Sequence, residues 1–489
     1  MKGITDEPQY SVCLLDGGTA LSDVINNHIE EQTLSEKSAF FVADLGAIMR
    51  QHVRWRTHMP QIRPYYAVRC NSSPAVIEVL AALGSGFTCS NKSELELVQS
   101  HGIPSEDIIY GGVCKQVSHI KHAAKNGIDL LVCDNEAELR KISRCHPNAK
   151  LLLQVSTEAC NPDDEMGMTF GCSLKDCRRL LESAKELGVQ VVGVRSHISC
   201  SCDDDQVYSH AISDARCIFD MGEEVGFNMN ILDIGGGFSG SETQLEMINC
   251  AVMSMVDLYF PSSTGVSIIA EPGSFFVSTA FTLAVNVISK AVMARDCQDQ
   301  KQSELSCNEE PEFQYYMSEG VYGSFSSKLS ETVIATPSVH KNVSLDLPVF
   351  SSSLWGPSGD DLDQVVDHCL LPELHTGDWL LFPQAGAYTL GQPLFPPTDS
   401  TPPPVHYVIS SRDWVEMQAA GVTNETTMKN FSWIPYFLGS CQTEAALAER
   451  LSEKGQQSLA FQQLVSHESI RRGDFNSNGC REVCGGADP

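Results

Sequence analysis

Residues 64–102 read PYYAVRCNSSPAVIEVLAALGSGFTCSNKSELELVQSHG, and this stretch decides the fold. PYYAVR and GFTCS are short and almost wholly apolar, the mark of strands covered on both faces. SSPAVIEVLAALGS and NKSELELVQSHG are amphipathic and of helix length, and glycine stands at or near their ends as a helix stop. Two strand–helix units thus follow one another directly. The same alternation runs outward in both directions, through AFFVADL, DIIYGG, DLLVCD, KLLLQVS, VVGVRSHI, NILDIGGG and SIIAEPG. About eight such units predict an α/β fold, a (β/α)8 TIM barrel over residues 39–278.

Beyond residue 278 the pattern changes. FTLAVNVISKAVM, PEFQYYMSEGVYGSF, VFSSSLWGPSG, GDWLLF and VHYVIS read as strands with few helices between them. They predict an all-β domain over 279–415, completed by residues 1–38. Residues 294–312 are polar and acidic and predict a mobile loop; 416–489 predict a C-terminal helix and a disordered tail.

The chain has 489 residues and a formal charge of −29. So acidic a balance argues against nucleic acid as a partner. No apolar run reaches membrane-span length, and no signal peptide is evident, so the expectation is a cytoplasmic protein, also nuclear. Nineteen cysteines are scattered without metal spacing: Cys200 and Cys202 are too close, and Cys480 and Cys484 lack a second pair. No metal is expected.

Active sites of such barrels lie at the C-terminal ends of the strands. The residues there are Arg69, Thr88, Gln154, His197, Gly235, Gly236, Gly237, Glu271 and Ser274. The glycine triplet either gathers backbone N–H groups around an anion or makes a tight turn. His197 either stacks on a planar ring or packs in the core. Glu271 either accepts from a ring nitrogen or closes an ion pair.

Taken in order, FFVADL, YYAVRCN, CKQVS, SDARCIFDM, LDIGGGF, AEPG, GVYGSF, WGP, GDWLLF and GAYT resemble the eukaryotic ornithine decarboxylase family over about residues 10–415. The resemblance implies a barrel of the alanine-racemase and ornithine-decarboxylase type that holds pyridoxal phosphate, fused to a β domain, in head-to-tail dimers. Glu94, His197, Gly235, Gly236, Gly237, Glu271, Asp360 and Tyr388 fit its pattern. Other positions depart from it. The family's Schiff-base lysine is Arg69 here, and a guanidinium stays protonated and cannot form an imine. Its strand-end aspartate is Thr88, its phosphate-holding arginine is Ser274, and its catalytic cysteine is Gly359. Its Tyr-Asp pair corresponds to Ser330 and Glu331, and its small glycine loop to Ser199, Cys200 and Ser201. The expectation is a pseudoenzyme with degenerate catalytic positions and no pyridoxal phosphate. Arg69 is expected to fill the emptied pocket against Glu94 or Glu271.

AEPGSFF, SSLWGPSGDDLDQVV and DWVEMQAAGVT are most similar to the family's antizyme inhibitor branch, type 1 in particular. That resemblance implies a decoy that binds ornithine decarboxylase antizyme and so raises polyamine synthesis and uptake. It places the binding element at about residues 115–139, with Lys115, Ala123, Glu138 and Leu139 at its positions. KQVSHIKHAAKNG carries three lysines and no acid, and Val117, Ile120 and Ala124 share one helical face with Lys121 and Lys125 on another. Arg140 extends the basic island. The alternatives are an active decarboxylase of basic amino acids, or a heterodimer partner of ornithine decarboxylase. Self-association is expected to be weak.

Overall fold

The computed structural model describes residues 10–32, 37–156, 170–196, 198, 206–240, 242–293, 311–330, 334, 336–340, 347–390, 402–422 and 428–436. Most of the expected loop at 294–312, the terminal helix and the tail lie outside these residues, as do His197, Ser199, Cys200, Ser201 and Glu331.

Eight parallel strands close a barrel: β1 (Ile62–Ala67), β2 (Gly86–Cys89), β3 (Ile108–Tyr110), β4 (Leu130–Cys133), β5 (Lys150–Val155), β6 (Gln190–Ser196), β7 (Ile231–Asp233) and β8 (Ser267–Ala270). β8 returns to pair with β1. Tyr65, Ile109, Val132, Leu152 and Ile269 fill the interior, so the barrel is a packed core and not a pore. Local chemistry starts its helices. Pro74 opens Pro74–Ala82, and the Asn91 and Asn135 side chains accept from the N–H groups of Glu94 and Glu138. In β6, Gly193 is required by close approach: a Cβ there would stand 2.1 Å from the Ile231 carbonyl oxygen of β7.

The strand expected to open the barrel does not belong to it. Phe40–Asp44 lies in the second sheet, antiparallel to Phe281–Met293 and parallel to Val405–Ser410. Phe41 and Ala43 face the main core, while Phe40 and Val42 face a smaller cluster with Val24, Trp379 and Val408. Both faces are buried in either sheet, so the residue pattern alone does not tell the two apart. The barrel region therefore starts at helix Leu45–His58, not at residue 39.

The second sheet runs in the order Gln364–Pro372, Val349–Trp355, Glu312–Met317, Phe281–Met293, Phe40–Asp44, Val405–Ser410, Tyr10–Leu15, Phe431–Pro435. Two helices, Leu21–Glu31 and Ser411–Ala419, belong to this domain, and Phe431–Pro435 pairs in parallel with Tyr10–Leu15. Residues 416–422 and 428–436 thus continue the sheet domain and do not form a separate tail. Arg50 ties the two parts together, bonding Asp44 at 2.7 Å and also Asp413. Trp55 donates to the Ile62 carbonyl at 2.9 Å and packs edge-on against Phe238.

Two histidines are stacked inside the sheet domain. The rings of His28 and His406 lie 3.9 Å apart, each against Phe40. Burial, then the charge of His28, pushes His406 down to about 4, and burial lowers His28. The unfolded chain takes up these protons near pH 6.5, and the folded chain only at lower pH, near 4 for His406. Stability is therefore complete above about pH 6.5 and falls as pH drops toward 4. Denaturation midpoints across that range should show the fall, and the H406F variant should flatten it. An unchanged profile in the variant would remove the histidine pair as the cause.

Candidate functional site

Two clusters form at the C-terminal mouth of the barrel. The first is buried. β6 and β7 pair with Arg195 opposite Asp233. Arg195 Nε donates to Glu271 Oε1 at 3.0 Å and stands 3.6 Å from Asp233 Oδ2. Its terminal nitrogens bond Glu271 Oε2 and Gln154 Oε1. Thr88 Oγ1 adds a hydrogen bond to Glu271 Oε1 at 3.1 Å. Both oxygens of Glu271 are engaged. Burial, and then the Glu271 carboxylate, push Asp233 well above the usual carboxylate range. Its Oδ2 makes no hydrogen bond. Glu271 and Asp233 keep the Arg195 guanidinium charged against the cost of its burial.

The second cluster is more open. Arg69 lies in the single 3-10 turn Val68–Cys70 after β1 and is exposed. Its guanidinium stands 5.9 Å from the Tyr388 ring centroid. Tyr388 adopts a φ of 59°, a left-handed conformation uncommon for tyrosine, and its N–H donates to the Cys70 carbonyl at 2.8 Å. Ser274 Oγ approaches Cys70 Sγ at 3.7 Å. Arg69 makes no ion pair among the described residues. Glu94 instead accepts from Ser90 N–H and Asn91 Nδ2, both at 2.6 Å, and Glu271 is held by Arg195. The expected ion pair of Arg69 with either acid does not form: Arg195 holds Glu271, and burial raises the Glu94 carboxyl, on which Arg69 acts only through its charge, which lowers it.

Gly235 and Gly237 have φ of 75° and 91°, and the turn they make is tied to its surroundings. Gly235 N–H donates to Asp233 Oδ1 at 2.9 Å, and its carbonyl accepts from Glu271 N–H at 2.7 Å. The Gly236 carbonyl accepts from Tyr208 at 2.8 Å. Gly359 and Asp360 lie in the sheet domain, where Asp360 accepts from Tyr322 at 2.7 Å. Among the described residues, no three His, Cys, Asp or Glu side chains form a metal-ligand set.

On the barrel's flank, helices Val117–Lys125 and Glu136–Cys145 pack side by side. Lys121, Lys125, Arg140 and Arg144 are exposed. Lys115 is 2 % exposed, so it is no surface contact. Its ammonium bonds the Val132 carbonyl over the Tyr110 ring, and burial pushes it down to about 8. Ala123, Glu138 and Leu139 are also buried. These four hold the element in place, and its outer face is Lys121, Lys125 and Arg140. The inward face is Ile120 and Ala123, while Val117, in the first turn, is 44 % exposed.

The profile of the pyridoxal-dependent decarboxylase pyridoxal-binding domain matches residues 45–278. Antizyme inhibitor 1 of Pongo abelii is 54% identical over 450 residues, covering 92% of this chain and 100% of that protein. Ornithine decarboxylase of Mus musculus is 42% identical, covering 90% of this chain and 95% of the enzyme. The solved structure of the Paramecium bursaria Chlorella virus arginine decarboxylase bound to agmatine superposes with a TM-score of 0.70 at 29% identity, over 80% of this chain and 100% of that one.

The chain belongs to the ornithine decarboxylase family, on its antizyme inhibitor branch.

The family match begins at residue 45, where the helix before the barrel starts, which agrees with the placement of Phe40–Asp44 in the other sheet. Of the family positions read from sequence, the fold gathers Arg69, Ser274 and Tyr388 into one cluster and Thr88 and Glu271 into the other. Arg195 and Asp233 are site residues that no motif in the sequence marks. The available signal was a charge inside each of two otherwise apolar strands, VVGVRS and ILD.

Proposed function

We propose that this chain is a non-catalytic member of its family. It binds ornithine decarboxylase antizyme, frees ornithine decarboxylase from inhibition and degradation, and so raises polyamine synthesis and uptake. The observation that carries the reading is Arg69: a permanently charged, exposed guanidinium stands where the family's chemistry needs a neutral amine.

The buried cluster supports the loss of pyridoxal phosphate. Glu271, the acid that would meet a ring nitrogen, already takes hydrogen bonds from Arg195 and Thr88. A buried guanidinium beside it repels a protonated pyridine ring. Ser274 offers no charge to a phosphate. The residues present do not fit the cofactor. Restoring the amine alone should therefore fail. Arg69→Lys is expected to give neither a cofactor absorbance band nor decarboxylation of ornithine, and a band lost on borohydride treatment would overturn this.

The exposed basic face of Lys121, Lys125 and Arg140 on a chain of charge −29 supports docking of an acidic partner surface. The deciding experiment is competition. Ornithine decarboxylase is silenced with antizyme, and this protein is added. Activity that returns only with the enzyme present supports the decoy. Activity from this protein alone overturns it, and no recovery at all removes antizyme as the partner. The same reading places the protein in the cytoplasm and nucleus, with a dimer weak enough to leave mostly monomer.

A further inference from the structure

Cys172 and Cys177 take no part in the roles described above. Helix Leu174–Glu186 is entered through Ser173 as its N-cap. Cys172 is thus the residue before the cap, and Cys177 the fourth residue of the helix. Side chains at these two positions meet across the first turn, where an apolar pair commonly fixes the entry of the chain. Here the pair is two thiols. Their sulfurs converge on one acceptor, the Ser173 carbonyl oxygen, at 3.5 Å from Cys172 and 3.2 Å from Cys177. Both cysteines are free. Cys172 keeps 7 % exposure and Cys177 none. The neighbouring Cys177 thiol lowers Cys172 below the ordinary thiol range, against its burial, while Cys172 and burial raise Cys177. A more acidic, partly reachable thiol beside a buried, protonated one is the pairing of an attacking and a resolving cysteine.

The pair also sits at a junction. Cys172 N–H donates to the Gln154 carbonyl at 2.8 Å, and its own carbonyl accepts from Ser156 N–H at 3.1 Å, so it bridges in parallel beside Val155 at the end of β5. Gly171 N–H reaches Asp134 Oδ2 at 3.3 Å, next to Asn135, the cap of the basic helix Glu136–Cys145.

We propose that Cys172 and Cys177 form a reversible disulfide across the first turn of this helix, made by exchange with a low-molecular-weight disulfide. The Cys172 thiolate attacks one sulfur of the small disulfide, whose S–S bond breaks and whose other half leaves as a thiolate and takes up a proton. Cys177 then loses its proton and attacks Cys172 Sγ, expelling the second small thiol. Two protein thiols are oxidised and one disulfide is reduced to two thiols.

The test uses the full chain with glutathione disulfide, followed by alkylation, trypsin and mass spectrometry. Trypsin cuts after Lys175, between the two cysteines, so only a disulfide keeps the two peptides together, and fragmentation of peptide 151–175 assigns the link to Cys172 over Cys160. The expected result is the linked pair, lost on reduction with dithiothreitol. Cys177→Ser should stop at a glutathione adduct on Cys172, and Cys172→Ser should leave Cys177 unmodified. In the oxidised protein, amide exchange over residues 174–181 should slow about tenfold. Both peptides alkylated while the exposed Cys114 and Cys217 have exchanged would overturn the proposal. So would a link from Cys172 to another cysteine.

Discussion

Replacing Arg195 by methionine should lower the unfolding free energy by about 3–5 kcal/mol. The side chain is 7% exposed and faces Asp233 at 0% and Glu271 at 5%. Removing it leaves two carboxyl groups buried together without a cation. Breaking a buried pair on one side is costly because the remaining charge has no water to turn to. Part of the loss is softened because burial already pushes Asp233 toward protonation. The measurement is the shift in urea midpoint at constant slope. Arg195→Met combined with Glu271→Gln and Asp233→Asn should recover much of the loss, since the charges are then gone together. A single-variant cost below about 1 kcal/mol would mean that the cluster is hydrated and not the closed clamp described here.

Reversing Lys121 and Lys125 to glutamate should slow association with antizyme by about 10- to 100-fold at low salt. Both lysines are exposed, four residues apart, and neither is ion-paired among the described residues. Their charge is therefore free to steer an approaching partner. The effect should shrink as ionic strength rises and screening shortens the reach of the field. Lys429→Glu is the control: an exposed lysine in the sheet domain, away from the two basic helices. Equal slowing by both variants would point to net charge and not to the basic face.

Much of this architecture is legible in the chain. A strand such as GFTC is buried along its whole length, and the chain after it turns into the next helix at Asn91. Phe40–Asp44 was misplaced because a strand covered on both faces carries no mark of which sheet covers it. The mouth was legible where a motif marks it, at Arg69, Glu271 and Gly235–Gly237. Arg195 and Asp233 were not, because their meeting depends on the register between β6 and β7, and β6 is shifted by an irregularity near Leu151 and Leu152 of its other neighbour. Lys115 misled for another reason. A lysine in a basic run reads as surface, yet a carbonyl and an aromatic ring receive its ammonium inside.

The sheet domain has a consequence for how the chain is made. Its strand order places Tyr10–Leu15 between Val405–Ser410 and Phe431–Pro435, and Phe40–Asp44 between Phe281–Met293 and Val405–Ser410. On the ribosome, the first two of these strands emerge long before any partner exists. The barrel, whose strands pair in order of synthesis, can close while they wait as unpaired hydrogen-bonding edges. The nascent chain therefore carries a sticky N-terminus for nearly its whole synthesis, and a chain cut short before residue 431 keeps that edge open for good. Premature termination should yield aggregation and chaperone capture in preference to a smaller working protein.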